Sequence, residues 1–406
     1  MDFLKEIINS LIPTQEEYSK LNNIFLGIKS KIKIKDAIVE LGGSGKKDTW
    51  LHNNHDIDIY VKFNKKKYHD KDISGILKKA LKKYFEISTL HGSRDYFQIK
   101  AENYTVEIIP IIDIKKAEEA LNITDISPLH CKYVIKHDKT KEIRLAKTFC
   151  RASRCYGAES YIGGFSGYVI EILTIHYKNF SNFIKNAAKW KERTSIGSKN
   201  LIEKLNLSKK IGPLIVIDPV DKNRNAAAAV SKEKYLQFIK ACREYVKKPG
   251  KSFFMEKKFD EGLFLKKHAS SKTIVMEAEP LDGKKDVIGA KILKCFNYLK
   301  TQFKLNNFNV LHAEWHWNKE ALFYFVFNAQ ELSKEIKHYG PPTKEVESSV
   351  AFIKKYGEKN VKKEGNKLYV MLKRQFTKPE DYARYMAKKD KTIFGYVKSL
   401  KIKRSA

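Results

Sequence analysis

The sequence predicts an α+β chain of several domains: a head built on a mixed sheet with helices, a helical neck, then an α/β body and a tail. Three observations carry that prediction. The chain has 406 residues, 42% of them hydrophobic and 12% aromatic, which is long for one core and too apolar for disorder. The apolar period is helical up to about residue 35, becomes two from 37 to about 114, and is mainly helical again to about 232. Beyond that point helix and strand patterns alternate, without an internal repeat or a low-complexity linker. The predicted divisions are residues 1–114 (head), 115–232 (neck), 233–330 (body) and 331–406 (tail, with its C-terminal end free to return to the body).

Each element follows from local chemistry. Leu4, Ile7, Ile8 and Leu11 share one helical face, and Leu21, Ile24, Phe25 and Ile28 share another beyond Pro13. Ile38–Leu41, Ile57–Val61 and Thr105–Ile109 read as strands, with a helix from Ile73 to Tyr84 between the last two. In the neck, Leu145, Phe149 and Ala152 line one helix, and Val169, Ile172, Leu173, His176 and Phe180 line another. Pro213 and Pro219 frame a short strand, Leu214–Ile217, and Ser231 suits an N-cap. Residues 309–315 and 321–327 read as adjacent strands of the body. In the tail, 361–370 is a hairpin turning at Gly365-Asn366.

Lys and Arg total 79 against 47 Asp and Glu, a net charge of +32. Part of that is a lysine-rich composition. The rest points to a polyanion, with nucleic acid ahead of an acidic membrane surface. Cys131, Cys150, Cys155, Cys242 and Cys295 are odd in number and show no Cys-x-x-Cys spacing, so buried free thiols are expected rather than disulfides or a zinc ribbon. The N-terminus shows no basic-then-apolar leader, and no apolar run reaches about 18 residues. A soluble, cytoplasmic protein without membrane contact is expected.

The chemistry concentrates in Gly43-Ser44-Gly45-Lys46-Lys47-Asp48-Thr49-Trp50-Leu51 and the following His55-Asp56-Ile57-Asp58-Ile59. Asp56 and Asp58, two apart in a strand, project from one face. Two carboxylates aimed at one point repel unless a cation lies between them, and Mg²⁺ meets that need with oxygen ligands. Upstream, Gly43 and Ser44 suit phosphate: glycine admits close backbone approach, and amides and a hydroxyl can hold the oxygens. Lys46 or Lys47 would add charge. The pattern is not a Walker A loop, because Glu40 and Lys47 stand where Gly and Ser/Thr are required. The alternative is an Asp-x-Asp on an exposed edge strand beside a turn. Glu107, the charged residue in an otherwise apolar strand, is the best third carboxylate, with Asp113 as fallback.

Gly-Ser followed by Asp-x-Asp and a carboxylate on a later strand resembles the polymerase-β-like nucleotidyltransferase superfamily. The longer Gly-Ser-x-x-x-x-Thr-Trp-Leu is similar to archaeal-type (class I) CCA-adding enzymes, the tRNA nucleotidyltransferases. Further blocks match in the same order: Ser127-Pro128-Leu129-His130, Arg144-Leu145-Ala146-Lys147, Tyr156-Gly157-Ala158-Glu159, Gly164-Phe165-Ser166-Gly167-Tyr168, Asp218-Pro219-Val220-Asp221 with Arg224-Asn225-Ala226-Ala227, and His338 with Gly340-Pro341-Pro342. The resemblance implies that Asp56, Asp58 and Glu107 are catalytic and hold two Mg²⁺ ions, Glu107 departing from the family's usual Asp. It implies that Gly43, Ser44 and Lys47, the last in place of a common Arg, meet the triphosphate. Ser127, His130, Lys147 and Tyr156 would grip triphosphate and ribose. Arg224 would read the base, with Asp218 and Asp221 as weaker candidates in the same site.

What the resemblance implies is addition of C, C and A to the 3′ end of tRNA from CTP and ATP, without a nucleic-acid template. The partner would be tRNA, and a homodimer stays open. The rivals are another RNA-terminal nucleotidyltransferase, such as a poly(A) polymerase, and a catalytically silent tRNA-binding protein. Read without the resemblance, Lys147, Arg151 and Arg154 form one basic helix face, either solvated or functional. Trp315, His316 and Trp317 are core packing or a stacking platform, with packing favoured. Lys362, Lys363, Lys367, Lys373 and Arg374 around Leu368–Leu372 suit a basic surface for an RNA backbone.

Overall fold

The computed structural model describes residues 2–405, which divide between Lys258 and Phe259 into two compact units. In the first, helices Asp2–Leu11 and Gln15–Lys31 are separated at Pro13. The second helix starts with a capping box, Thr14 and Glu17 each accepting the other's backbone N–H.

The head sheet contains β1 (Ala37–Leu41), β2 (Asp56–Asn64), β3 (Ser88–Leu90), β4 (Tyr96–Ala101) and β5 (Tyr104–Asp113), in the order β1-β2-β5-β4-β3. β2 and β5 run parallel and the other pairs are antiparallel, so the sheet is mixed. The parallel pair needs a crossover, which includes helix Ile73–Leu81. Along β2 the pleat divides the side chains cleanly. Ile57, Ile59, Val61 and Phe63 go into the core with Leu77, Leu81, Phe97 and Ile108, while Asp56, Asp58, Tyr60 and Lys62 occupy the opposite face.

Beyond β5 the unit is mainly helical. Helices Ser127–His137, Thr140–Ala152, Gly167–His176, Phe180–Ala187 and Lys232–Lys247 dominate, with the short parallel pair β6 (Thr194–Ile196) and β7 (Leu214–Val216). Their core is strongly aromatic: Phe149, Phe165, Phe180, Phe183 and Phe238 are fully buried and in ring contact. Ser231 caps the last helix by accepting from Lys234 N.

The second unit holds an antiparallel sheet of β8 (Lys272–Pro280), β9 (Val310–Trp317), β10 (Ala321–Phe327) and β14 (Val397–Ser405), ordered β14-β8-β10-β9. The C-terminal strand thus returns to pair with β8, the first strand of the unit. Helix Lys285–Leu305 covers this sheet through Ile292, Phe296, Leu299 and Phe303. Trp315 and Trp317 lie on the edge strand packed against that core. A second sheet joins β11 (Glu335–Pro342), β12 (Val361–Glu364) and β13 (Lys367–Lys373), with the Gly365-Asn366 turn linking β12 to β13. Helix Val346–Tyr356 packs on it through Phe352, against Leu368 and Val370. Gly340 is required here, because a Cβ would meet the Phe352 ring at 2.7 Å.

The five cysteines are buried and free. No described helix is long and apolar enough to cross a membrane.

Candidate active site

The parallel register of β2 and β5 sets Asp58 directly across from Glu107 and Asp56 across from Thr105. The three carboxylates therefore share one face of neighbouring strands. Gln98 lies across from Glu107 on β4 and donates to it at 3.4 Å. Asp113 lies six register positions further along, about 20 Å away at the strand rise, and pairs with Lys62 at 3.0 Å. It is not part of this group. Burial raises the Asp58 carboxyl above the usual range and Asp56 adds to the rise, while Lys47 and Lys147 oppose it.

β1 leads straight into the phosphate-binding candidates. Residues Gly43–Lys47, read from the sequence as a loop, form one short helix whose N-cap, Gly42, offers no side chain. Gly42 N donates to Asp58 O at 2.8 Å. Gly43 has φ +50°, and a Cβ there would lie 1.6 Å from Asp58 Oδ2. Only glycine brings this backbone beside the carboxylate. Gly43 N also donates to the Tyr60 hydroxyl at 3.3 Å, and Ser127 is another partner of that hydroxyl. Ser44 sits in the first turn, where backbone amides lack helical acceptors. Lys46 is exposed.

Lys47 takes a different course. Its ammonium is 2.6 Å from Glu171 Oε2, and Lys147 reaches Glu171 Oε1 at 2.8 Å. Lys147 also donates to Thr49 O and Thr49 Oγ1, both at 3.0 Å, and Thr49 Oγ1 donates to Glu171 Oε1 at 2.7 Å. Glu171 is fully buried and Lys147 is 4% exposed, so Lys147 does not stand on a solvated face with Arg151 and Arg154. Tyr156 lies beside this group under the Arg151 guanidinium, 4.8 Å from ring to cation. Arg144, one turn before Lys147, donates to Trp50 O at 2.9 Å and to Asp48 at 2.7 Å. One helix thus holds the whole Asp48-Thr49-Trp50 segment.

A second cluster gathers His130, Tyr168, Asp218 and Arg224. Asp218 is fully buried. It accepts from Arg224 Nη1 at 2.7 Å, from Tyr168 Oη at 2.9 Å and from Val220 N at 2.9 Å. His130 Nε2 lies 3.1 Å from Asp218 Oδ2, and the imidazole stacks on the Tyr168 ring at 4.0 Å. Burial pushes Asp218 up, but His130, the Val220 amide and Arg224 together hold it well below the carboxylate range. Asn225 is buried and accepts from Val216 N at 2.9 Å and Ala227 N at 3.0 Å, fixing the loop that carries Arg224.

Asp221 lies in this loop without a place in the cluster's hydrogen bonding beyond its backbone. Sequence reasoning missed Glu171. The signal existed: it is the charged residue in the apolar run Tyr168–Ile175, the same mark that singled out Glu107.

Among the described residues, no three His, Cys, Asp or Glu side chains close into a metal cage. The donor set still fits Mg²⁺. The oxygens are hard, they lie on one face, and Asp56 is exposed while Asp58 and Glu107 are half-buried. Mg²⁺ keeps waters and takes phosphate oxygens rather than requiring an all-protein shell.

Residues 141–255 match the family described as tRNA nucleotidyltransferase, second domain, and residues 273–404 match CCA-adding enzyme, C-terminal domain. The CCA-adding enzyme of Nanoarchaeum equitans is 33% identical over 389 residues, 92% of this chain and 94% of that protein. That of Methanocaldococcus jannaschii is 31% identical over 382 residues, 88% of this chain and 84% of that protein. Among solved structures, the Cid1 poly(U) polymerase with Mg 3′-dATP bound aligns with a TM-score of 0.51 and 16% identity, over 63% of this chain and 98% of that one. At that identity the likeness speaks for the fold alone.

Proposed function

The chain belongs to the family of CCA-adding enzymes, tRNA nucleotidyltransferases, and we propose on that premise that it adds C, C and A to the 3′ end of tRNA from CTP and ATP without a nucleic-acid template. The observation that carries the catalytic assignment is the β2–β5 register, which sets Asp56, Asp58 and Glu107 on one face beside Gly43 and Ser44. The proposed reaction is in-line attack of the tRNA 3′ hydroxyl on the nucleotide α-phosphate, with pyrophosphate leaving.

Asp56, Asp58 and Glu107 would hold two Mg²⁺ ions, which supply charge neutralisation at the attacking and leaving oxygens. Glu107, held by Gln98 across the strand, reaches over from β5. Ser44 and the first-turn amides receive the triphosphate, with Lys147, Tyr156 and Lys47 beside them. Arg224 and His130, both set by Asp218, meet base and ribose, and Ser127 supports them from the start of its helix. Most of the rate gain would come from positioning and fixed charge. A cytoplasmic setting accompanies this reading.

The test uses purified protein, Mg²⁺ and three tRNA transcripts, ending before CCA, after C and after CC. Each receives labelled CTP or ATP alone. Two additions of C to the first, one to the second and a single A on the third are expected. Long A tails would replace the reading with a poly(A) polymerase. Salt-sensitive tRNA binding without extension would replace it with a silent tRNA-binding protein.

A further inference from the structure

Glu171 joins two elements that the sequence keeps far apart. Lys47 comes from the short helix after β1, Lys147 from helix Thr140–Ala152, and both ammonium groups end on this one buried carboxylate. Two cations on one anion leave an excess positive charge out of water. The other charged or titratable groups facing the pair are Arg151, which adds to the excess, Asp58, whose carboxylate faces both ammonium groups and offsets part of it, Cys131 on the Lys47 side, and the Tyr156 hydroxyl beside Lys147. A buried excess charge is relieved by losing a proton or by gaining an anion. Gly167 packs closely over the cluster: a Cβ there would lie 2.8 Å from Tyr156 Oη and 3.8 Å from Lys147 Nζ.

We infer that Glu171 is a positioning residue that holds Lys47 and Lys147 as one cradle for the triphosphate, so that nucleotide binding is coupled to proton uptake at this cluster. The inference rests on the nucleotidyltransferase reading above. Electrostatics supports the geometry. Burial pushes Lys147 down to about 8, with Lys47 contributing. Lys47, although buried, is held above its ordinary value by Glu171. An arriving polyanion raises the Lys147 value again, so above pH about 8 the bound state carries a proton that the free state lacks. The nucleotide itself is not the acceptor, since a phosphate loses its last proton near pH 6.

The experiment is calorimetric titration of the full chain with CTP and Mg²⁺, from pH 7 to pH 9.5, in buffers of different ionisation heat, which yields protons taken up per CTP. Uptake near zero at pH 7, rising towards one proton by about pH 9, is expected. The variants move the onset in opposite directions. Glu171→Gln removes the anion that keeps Lys147 charged and lowers the onset by about one pH unit, and Lys47→Met relieves the crowding and raises it by a similar amount. A purely structural ion pair would move neither. If Glu171→Gln fails to melt cooperatively, the upward shift in Lys47→Met alone decides. CTP binding that is proton-neutral at every pH, or an onset that Lys47→Met leaves in place, overturns the inference while the enzymatic reading stands. Absence of CTP binding by the parent chain overturns both.

Discussion

Two residues show how closely the site depends on single atoms. Gly43 works because nothing projects from it. A Cβ would overlap the Asp58 carboxylate, and φ +50° disfavours any side chain in addition. Gly43→Ala is expected to lower kcat/KM for nucleotide addition by at least about 100-fold while tRNA binding, read by filter retention, changes little. Equal losses in both would show a folding defect instead. Asp58 stores the opposite kind of tension. Burial and Asp56 disfavour its charge, so Asp58→Asn should raise the melting temperature by about 2 °C or more while abolishing transfer. A lower melting temperature in that variant would show that the carboxylate stabilises the fold.

At the scale of elements, adjoining helices and strands are fastened by buried polar pins. Arg144 holds the 48–50 segment, Asn225 the Arg224 loop, and Asp125 accepts from Ile112 N at 2.8 Å and Asn122 N at 2.9 Å while pairing with Arg94. Glu17 does the same at the start of helix Gln15–Lys31, accepting from Thr14 N at 2.6 Å and Asn53 N at 2.8 Å, with His52 Nδ1 at 2.8 Å. Burial pushes the Glu17 carboxyl up, yet these partners outweigh it and bring it down to about 2 from 4.5. Its contribution is therefore complete above pH 4.5 and is lost as pH falls from there towards about 2. Glu17→Gln should cost about 1–2 kcal/mol at pH 7 and flatten the acid limb of the stability profile in that window, measured by urea melts. An acid limb as steep as the parent's would refute the assignment.

For the whole molecule, the net charge of +32 makes tRNA binding an electrostatic matter. Lys362, Lys363 and Lys367 stand exposed along the β12–β13 hairpin. Replacing all three with Ala should raise KM for tRNA by about tenfold, leave KM for CTP unchanged, and reduce the slope of log binding constant against log salt by up to about three contacts' worth. An unchanged salt slope would remove this surface from the RNA-binding assignment.

Much of this was readable along the chain. The alternation at Ile57-Asp58-Ile59 had to place both aspartates on one face, because a strand repeats every two residues. The hairpin at Gly365-Asn366 and the cap at Ser231 followed from turn and capping chemistry of the same local kind. The blocks that carry the family resemblance were also visible as strings of residue types. Which groups meet across long separations was not. Lys47 and Lys147 share Glu171, His130 and Arg224 share Asp218, and Asp58 faces Glu107 but not Asp113. Each of these choices is made by strand register and helix packing between segments tens of residues apart, where periodicity carries no information. A lysine beside a Gly-Ser turn reads as a phosphate contact, but nothing along the chain shows the buried carboxylate that the fold brings to hold it. At that point desolvation, which strengthens every close charge pair, makes Glu171 the partner.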